Sequence, residues 1–252
     1  MPKRLTIIIT LLFLLSPTLC HAQQKSGVVR PERTFLLSFA KTGLLTMGPE
    51  EGQEVAKGGL IAKLDDRQER LALAEAEAGL ESARLDLHTS QHNHDKIGRL
   101  VKEKVLAPIS LKEAEFSLQQ SQTLYHIAEL NLEKAQLALQ YTELHSPGPG
   151  VVTQVMAHLG EFTSPDQPVA EITDLSSLKI VVDLELKQAD RLNPDQQATI
   201  IIDQKNIGTA KVKTILPLLD PASGLRRVIW TVTSNNGMLA GRYVTLSWED
   251  GR

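Results

Sequence analysis

Cysteine, long apolar runs and basic clusters are nearly absent from this 252-residue sequence, and each absence excludes something. Cys20 is the only cysteine, so the chain forms no intramolecular disulfide and depends on packing for its stability. After residue 22, no apolar stretch reaches the roughly 20 residues that a membrane-spanning helix needs. The formal net charge is −3 and no basic run occurs, which argues against nucleic acid as a partner.

Residues 1–22 have the pattern of a secretory signal peptide. Two basic residues precede an apolar run over residues 5–15, and small residues, Cys20 and Ala22, occupy the positions that a signal peptidase inspects. Cleavage after Ala22 would remove the cysteine. A lipid anchor on Cys20 is the weaker interpretation, because Leu19 stands where a lipidation site has a small residue.

Sequence patterns of catalysis are also missing. The sequence contains no glycine-rich phosphate loop, no nucleophile elbow and no metalloprotease helix motif. The adjacent carboxylates of Asp65 and Asp66 are explained by a helix start, so we predict neither enzymatic activity nor a cofactor.

The middle third of the sequence predicts two long helices. Residues 66–104 and 110–144 are rich in Leu, Ala, Glu, Gln and Lys, and neither segment contains proline. Helices of this length extend roughly 55 Å. The connection over residues 105–109 is short, so the helices are expected to fold back as an antiparallel hairpin. The proline- and glycine-rich segment 146–150 ends the second helix.

Each helix start has the spacing of a capping box, in which the first side chain binds backbone N–H groups of the first turn. Asp66 with Glu69 is expected to open the first helix, and Ser110 with Glu113 the second. Pro108 is then expected just outside the second helix, where it breaks no hydrogen bond.

A seven-residue repeat runs along both helices and combines one stripe of large residues with one of small residues. Such a repeat keeps one side of each helix facing a partner, which is the condition for a coiled coil. The repeated positions are Leu73, Leu80, Leu87 and His94 with Ala76, Ala83, Ser90 and Ile97 in the first helix, and Leu111, Leu118, Tyr125, Leu132 and Leu139 with Ala114, Ser121, Ala128, Ala135 and Thr142 in the second.

The second helix also carries a third apolar stripe. Phe116, Leu130, Leu137 and Leu144 follow a seven-residue spacing, with Thr123 among them. A seam between two helices does not need this width. Two explanations are open: sideways packing against hairpins of neighbouring copies, or packing on the β domain of the same chain.

The flanks of the hairpin are related to each other and are strand-like. Residues 52–64 align without a gap with residues 160–172, so that Gly52 meets Gly160, Ile61 meets Val169, Ala62 meets Ala170 and Leu64 meets Ile172. A repeat with a hairpin between its copies predicts two half-motifs that close into one small β domain. From residue 178 onward, five or six strands separated by turn clusters predict a closed barrel.

This organisation resembles the membrane fusion proteins, the periplasmic adaptor family of tripartite pumps. The likeness is carried by Gly52-x-x-Val55-x-x-Gly58-x-Leu60 for the first lipoyl-like half-motif, by Ser146-Pro147-x-x-Gly150-Val151-Val152 for the second, and by Ile215-x-Pro217-x-x-Asp220, Arg226 and Asn236-Gly237-Met238-x-x-Gly241 for the barrel.

The resemblance implies a fold that mixes α and β structure and a mechanical function. A long antiparallel α-helical coiled-coil hairpin (66–144) is inserted in a lipoyl-like β-sandwich, or barrel-sandwich hybrid (33–65 and 145–175), which is followed by a small β-barrel (176–252). It implies a non-catalytic periplasmic subunit, held at the inner membrane by its partners. Those partners are an inner-membrane transporter, an outer-membrane channel and further copies of the chain, as a trimer or hexamer. The transporter class and the exported substrate are left open.

The family resemblance also implies that the hairpin tip docks the channel. Many members have Arg-x3-Leu-x6-Ser at the tip. Here Arg99 and Ser110 keep the outer spacing, but Glu103 occupies the leucine position. The candidate docking residues are Arg99, Leu100, Leu106, Ile109 and Ser110.

The histidines provide an alternative hypothesis of a different class. His88 and His92 lie four residues apart on one helical face, and His126 is expected opposite them, so imidazoles from both helices would bind zinc or copper in a periplasmic metal-binding protein. We favour solvated polar positions instead, because no carboxylate or thiolate completes the site. A coiled-coil envelope protein with no transporter is a third alternative. A lipoyl or biotin carrier is excluded, since the hairpin replaces the turn that bears the carrier lysine.

Overall fold

The computed structural model describes residues 22–234 and 237–249. The predicted signal peptide, with Cys20, lies outside the described residues apart from Ala22, which begins the first strand. The strands are β1 (Ala22–Leu37), β2 (Gly43–Met47), β3 (Glu54–Val55), β4 (Leu60–Leu64), β5 (Glu143–His145), β6 (Gly150–Val155), β7 (Phe162–Thr163), β8 (Ala170–Leu184), β9 (Gln197–Ile202), β10 (Lys205–Leu219), β11 (Arg226–Val232) and β12 (Tyr243–Glu249). The helices are α1 (Arg67–Lys102), α2 (Pro108–Gln140) and the short α3 (Leu186–Ala189).

The chain forms two compact units. One comprises residues 34–173, and the other comprises residues from 174 onward together with the chain up to Arg33, so strands β1 and β8 contribute to both. The predicted fold class, a helical hairpin with a lipoyl-like β domain and a barrel, is confirmed. Among the described residues, no helix combines the length and the apolar composition needed to cross a membrane.

A small β domain forms the base of the first unit. Strands β5, β4, β2 and β7 pair in that order as one sheet, and β3, β6 and the first residues of β8 pair as another. Both predicted half-motifs contribute to a single apolar core, whose buried members are Leu37, Phe39, Leu45, Ile61, Ala62, Leu64, Leu144, Val152, Ala157, Val169, Ala170 and Ile172.

Two reciprocal backbone clamps join the half-motifs of this domain. Gly52 N–H donates to the Val152 carbonyl at 2.8 Å, and Val152 N–H donates back, at 2.9 Å, to the carbonyl of the residue after the glycine. In the other half, Gly160 N–H donates to the Leu45 carbonyl at 2.9 Å. Leu45 N–H donates back, at 2.8 Å, to the carbonyl of Glu161, the residue after this glycine. The φ angles of Gly52 and Gly160 are 83° and 84°, in the region that favours glycine. The repeat in the sequence is therefore also a repeat of backbone geometry.

Helices α1 and α2 pack against each other along the predicted seam. Every position of the four predicted stripes is at least partly buried, whereas most of the helix positions between them are exposed, and α1 buries no residue completely. On α2 the fully buried positions are Ala114, Ser121 and Ala135, all from the small-residue stripe. The hydroxyl oxygens of Ser90 and Ser121 lie 2.7 Å apart across the seam. Small side chains thus bring the two helices close together, as the pattern predicts.

The predicted capping boxes are wrong at both helix starts. Asp66 is the N-cap residue of α1 but makes no capping hydrogen bond, because its carboxylate binds Lys63 at 2.9 Å and Arg70 at 2.8 Å instead. Helix α2 begins at Pro108 rather than after it, and the N-cap is Ala107 with an extended backbone (φ −71°, ψ 147°). A residue before proline avoids the helical conformation, and proline at the first helical position loses no hydrogen bond. Ser110 therefore lies within the first turn.

The second unit is a closed barrel of six strands, β1, β12, β9, β10, β11 and β8, in which β1 pairs with β8 to close the sheet. Its core contains Trp230 and Trp248, whose ring centroids lie 5.5 Å apart at 40°. The barrel agrees with the sequence, but β1 is not among the strands that the sequence predicts. Residues 22–33 show no apolar alternation, and β1 joins the barrel by backbone pairing with β12 and β8.

Substitution of Gly27 by alanine should open the barrel at the point where β1 meets β8. A Cβ atom at this position would lie 2.7 Å from methyl groups of Ile180 and Val182 and 3.0 Å from the Val181 carbonyl oxygen. Overpacking of this kind costs about 1–3 kcal/mol. Gly79→Ala is the matched control, because nothing lies within 4 Å of its Cβ and alanine favours the helix by about 1 kcal/mol. Chemical denaturation should show opposite shifts for the two variants, and equal shifts would contradict this account of barrel closure.

Candidate partner-binding site at the hairpin tip

The hairpin tip is a compact turn that ends α1 and starts α2. Lys104 N–H donates to the Val101 carbonyl at 3.0 Å, and Val105 N–H donates to the Leu100 carbonyl at 2.9 Å. These are the two bonds of a Schellman motif, in which the residue after the helix C-cap adopts the left-handed conformation. Lys104 occupies that position with φ 61°, where glycine is the usual residue. A hydrogen-bonded turn therefore sets the direction of the chain between the helices.

The tip presents aliphatic side chains to solvent. Ile109, one of the predicted docking residues, is 60% exposed, and Val105, which is not among those predicted residues, is 65% exposed. Arg99 is exposed as predicted, while Leu100, Leu106 and Ser110 are only partly accessible, as their burial pattern shows. The structure thus brings all five predicted residues to one end of the hairpin, with Arg99, Ile109 and Val105 forming its outer surface. Val105 was missed because the family pattern directs attention to leucine.

Charge distinguishes the tip from the body of the hairpin. Residues 96–113 carry five basic and two acidic side chains, a net charge of +3, whereas the whole sequence carries −3. Residues 69–95 of α1 carry six acidic and two basic side chains, a net charge of −4. A partner surface with acidic groups would be attracted to the tip and repelled by the body of α1.

The histidines of the alternative hypothesis are spread over solvated helix faces. His88 and His92 are exposed, and the His126 side chain is 70% exposed with its Nδ1 atom 3.5 Å from a Glu129 carboxylate oxygen. Within residues 22–234 and 237–249, no three His, Cys, Asp or Glu side chains come together as possible metal ligands. In this part of the chain, the spacing of the histidines is therefore not accompanied by an assembled set of metal ligands.

Comparison with known sequences finds distant relatives. No family model matches the chain. An uncharacterised protein of Haemophilus influenzae is 24% identical over 226 residues, which cover 88% of this chain and 56% of that protein. The multidrug resistance protein MdtA of Xenorhabdus bovienii is 22% identical over 224 residues, which cover 84% of this chain and 54% of that protein. This chain therefore spans a little over half the length of these curated relatives.

Comparison with solved structures identifies the fold. The membrane fusion protein Spr0693 of Streptococcus pneumoniae superposes with a TM-score of 0.75 at 18% identity, and the superposition covers 91% of this chain and 100% of that one. This chain has the membrane fusion protein fold. The resemblance that the half-motifs and the hairpin predict from sequence is confirmed.

Within the membrane fusion protein fold, this chain departs from the family pattern at the tip for a structural reason. Glu103, at the position where many members have leucine, is the C-cap residue of α1 and is exposed. Leu100 and Leu106 are close by, but both are partly covered, and both contribute to the turn through the Leu100 carbonyl, which accepts from Leu106 N–H at 3.4 Å. The exposed aliphatic surface that a leucine would provide is supplied by Val105 and Ile109.

Lys104→Gly should stabilise the hairpin, because glycine adopts the left-handed conformation without the steric cost that a side chain carries there. The expected gain is about 1 kcal/mol. Lys102→Gly is the matched control: residue 102 is the last residue of α1, has helical geometry, and should lose up to about 1 kcal/mol on the same change. Thermal denaturation followed by helical circular dichroism would compare them. Destabilisation by both variants would show that the turn does not adopt this conformation in solution.

Proposed function

We propose that this chain is a periplasmic adaptor subunit that bridges an inner-membrane efflux transporter and an outer-membrane channel, without catalysis. The supporting observation is the combination of the membrane fusion protein fold with a long, solvated hairpin that ends in a basic and aliphatic tip. A 36-residue helix places the tip about 54 Å from the hairpin base. Such an element can contact a partner far from the hairpin base.

The bridging role is tested first by recovering the partners. Full-length chain would be affinity-purified from cell envelopes after crosslinking, and the associated proteins would be identified by mass spectrometry. Adaptor function predicts that a transporter of the inner membrane and a channel of the outer membrane are both recovered. Recovery of neither, with bound metal in the purified chain, would contradict the proposal and favour the histidine alternative.

A pair of charge-changing substitutions, Arg99→Glu with Ile109→Asp, tests whether the tip docks the channel. Both side chains are exposed, so the fold should be retained while the crosslink to the channel and the tolerance to exported compounds are lost. The matched control is Arg84→Glu with His88→Asp, which makes the same charge change on the exposed body of α1 and also removes a histidine of the alternative metal site. Full tolerance with the tip pair, or equal loss with the control pair, would contradict tip docking.

Self-association of the hairpin is also part of the proposal, through the outer face of α2. Of the third stripe, only Leu144 is buried, in the β-domain core, whereas Phe116, Leu130 and Leu137 are 72%, 51% and 43% exposed. Leu124 and Ile127 are 50% and 47% exposed and line a groove between α2 and α1. Large apolar side chains exposed in a row along one helix favour a protein partner over solvent.

Leu130→Glu with Leu137→Glu should therefore weaken association between copies without unfolding the monomer. The expected result is a shift to smaller species in sedimentation velocity at micromolar concentration, relative to the unmodified chain. Gln122→Glu with Gln136→Glu is the control, because it adds the same charge to exposed positions of α2 outside the stripe. If the unmodified chain is monomeric over the whole accessible range, or if both pairs act alike, lateral packing through this face is wrong.

A further inference from the structure

A chain of polar contacts links the base of the hairpin to a turn of the β domain. Lys63 Nζ on β4 lies 2.9 Å from a carboxylate oxygen of Asp66, at the start of α1, and 3.1 Å from Glu143 on β5. The other carboxylate oxygen of Glu143 lies 3.3 Å from His145 Nε2. The Nδ1 atom of His145 lies 3.0 Å from the carbonyl oxygen of Gly58, in the turn between β3 and β4. All these residues belong to the same compact unit.

The position of His145 is unusual because both ring nitrogens face acceptors. A carbonyl oxygen and a carboxylate oxygen accept hydrogen bonds and donate none. A neutral imidazole has one N–H, so it satisfies only one of the two and turns a lone pair towards the other. The imidazolium has two N–H groups and satisfies both. The observed geometry therefore matches the protonated form.

The carboxylate beside the ring is held in its charged form. Lys63, chiefly, and then His145 lower the pKa of Glu143, so the carboxylate stays negative beside the ring. Asp66 and Glu143 in turn raise the pKa of Lys63. Lys57 is exposed in the turn that carries Gly58.

At the base of the hairpin, the chain of contacts reaches both the start of α1 and the segment that follows α2. Strand β5 follows directly after α2, and Leu64 N–H, at the end of β4, donates to the Thr142 carbonyl at 2.8 Å just before β5 begins. Asp66 opens α1 and also binds Arg70 in its first turn. Glu143 therefore connects His145 to the segment that ends α2, and Lys63 connects Glu143 to the start of α1.

We propose that His145 is a proton-operated latch that, when protonated, fastens the base of the hairpin to the β3–β4 turn. Histidine is the side chain that ordinarily changes charge between about pH 5 and 8, so that range is the one in which the latch is tested. The sign follows from the geometry: the two contacts are present at low pH, and one is lost as the pH rises and the ring becomes neutral. The residues of the latch all lie within the unit of residues 34–173.

Two measurements on the full chain test the latch. Ring ¹⁵N chemical shifts would report the protonation state and tautomer of His145 between pH 5.5 and 8. Amide hydrogen exchange, corrected for intrinsic rates, would report local opening at Gly58 and Ser146, whose N–H groups donate at 2.8 and 2.9 Å across the same strand ends. Protection at these amides should be roughly two- to fivefold higher at pH 5.5 than at pH 8, since the site is half exposed.

His145→Gln removes the proton switch and should make this protection independent of pH. His158→Gln is the control, because His158 is an exposed loop residue whose Nδ1 lies 3.8 Å from Glu161, and its removal should leave the pH response unchanged. An equal pH response in the unmodified chain and in His145→Gln would overturn the latch. If His145→Gln fails to fold, the ring shifts decide alone: a neutral ring at pH 5.5 would overturn the proposal.

Discussion

The two reciprocal backbone clamps around Gly52 and Gly160 are the constraint on which the hairpin depends. Each clamp joins a glycine of one half-motif to a strand of the other half-motif, which lies about 100 residues away in the sequence. Closing so long a loop costs conformational entropy, and the loop is tolerable here because most of it is helix that folds on itself. The clamps bring residues 65 and 142 to one edge of the β domain, so that α1 leaves and α2 returns at the same place.

A hairpin fixed only at its base has to stabilise itself along its length. It does so with a narrow seam, since α1 buries no residue completely and α2 buries only Ala114, Ser121 and Ala135. Small side chains let the two helices approach closely, so dispersion contacts stabilise the seam although it buries little surface area. The outer faces differ: residues 69–95 of α1 carry a net charge of −4 and expose Leu71 and Leu85, whereas α2 exposes Phe116, Leu130 and Leu137. The proposed contact with other copies of the chain uses this face of α2.

Sequence alone predicts most of this fold, because its strongest signals are local periodicities. The heptad stripes and the glycine repeat are read from spacing, and both correspond to geometry in the structure. Two of the failures involve partners distant in sequence, whereas the missed start of α2 is a local effect of Pro108. Asp66 has the spacing of a helix cap, but its carboxylate binds Lys63 instead. Lys63 also binds Glu143, which lies on the neighbouring strand β5. Strand β1 has no apolar alternation and belongs to the barrel only through backbone bonds to β12 and β8.

At the candidate site, too, the sequence predicts the position of the site but not the side chains on its surface. The spacing of Arg99 and Ser110 predicts where the tip lies, because the helices must reverse between them. It does not predict which side chains the turn exposes. A Schellman turn with Lys104 in the left-handed region directs Val105 outward and leaves Leu100 and Leu106 partly covered, although leucine is what the family pattern leads one to seek. The proposed docking surface is defined by an exposed patch and its charge, so it should tolerate the exchange of one aliphatic residue for another. Its identity therefore has to be argued from exposure rather than from a motif.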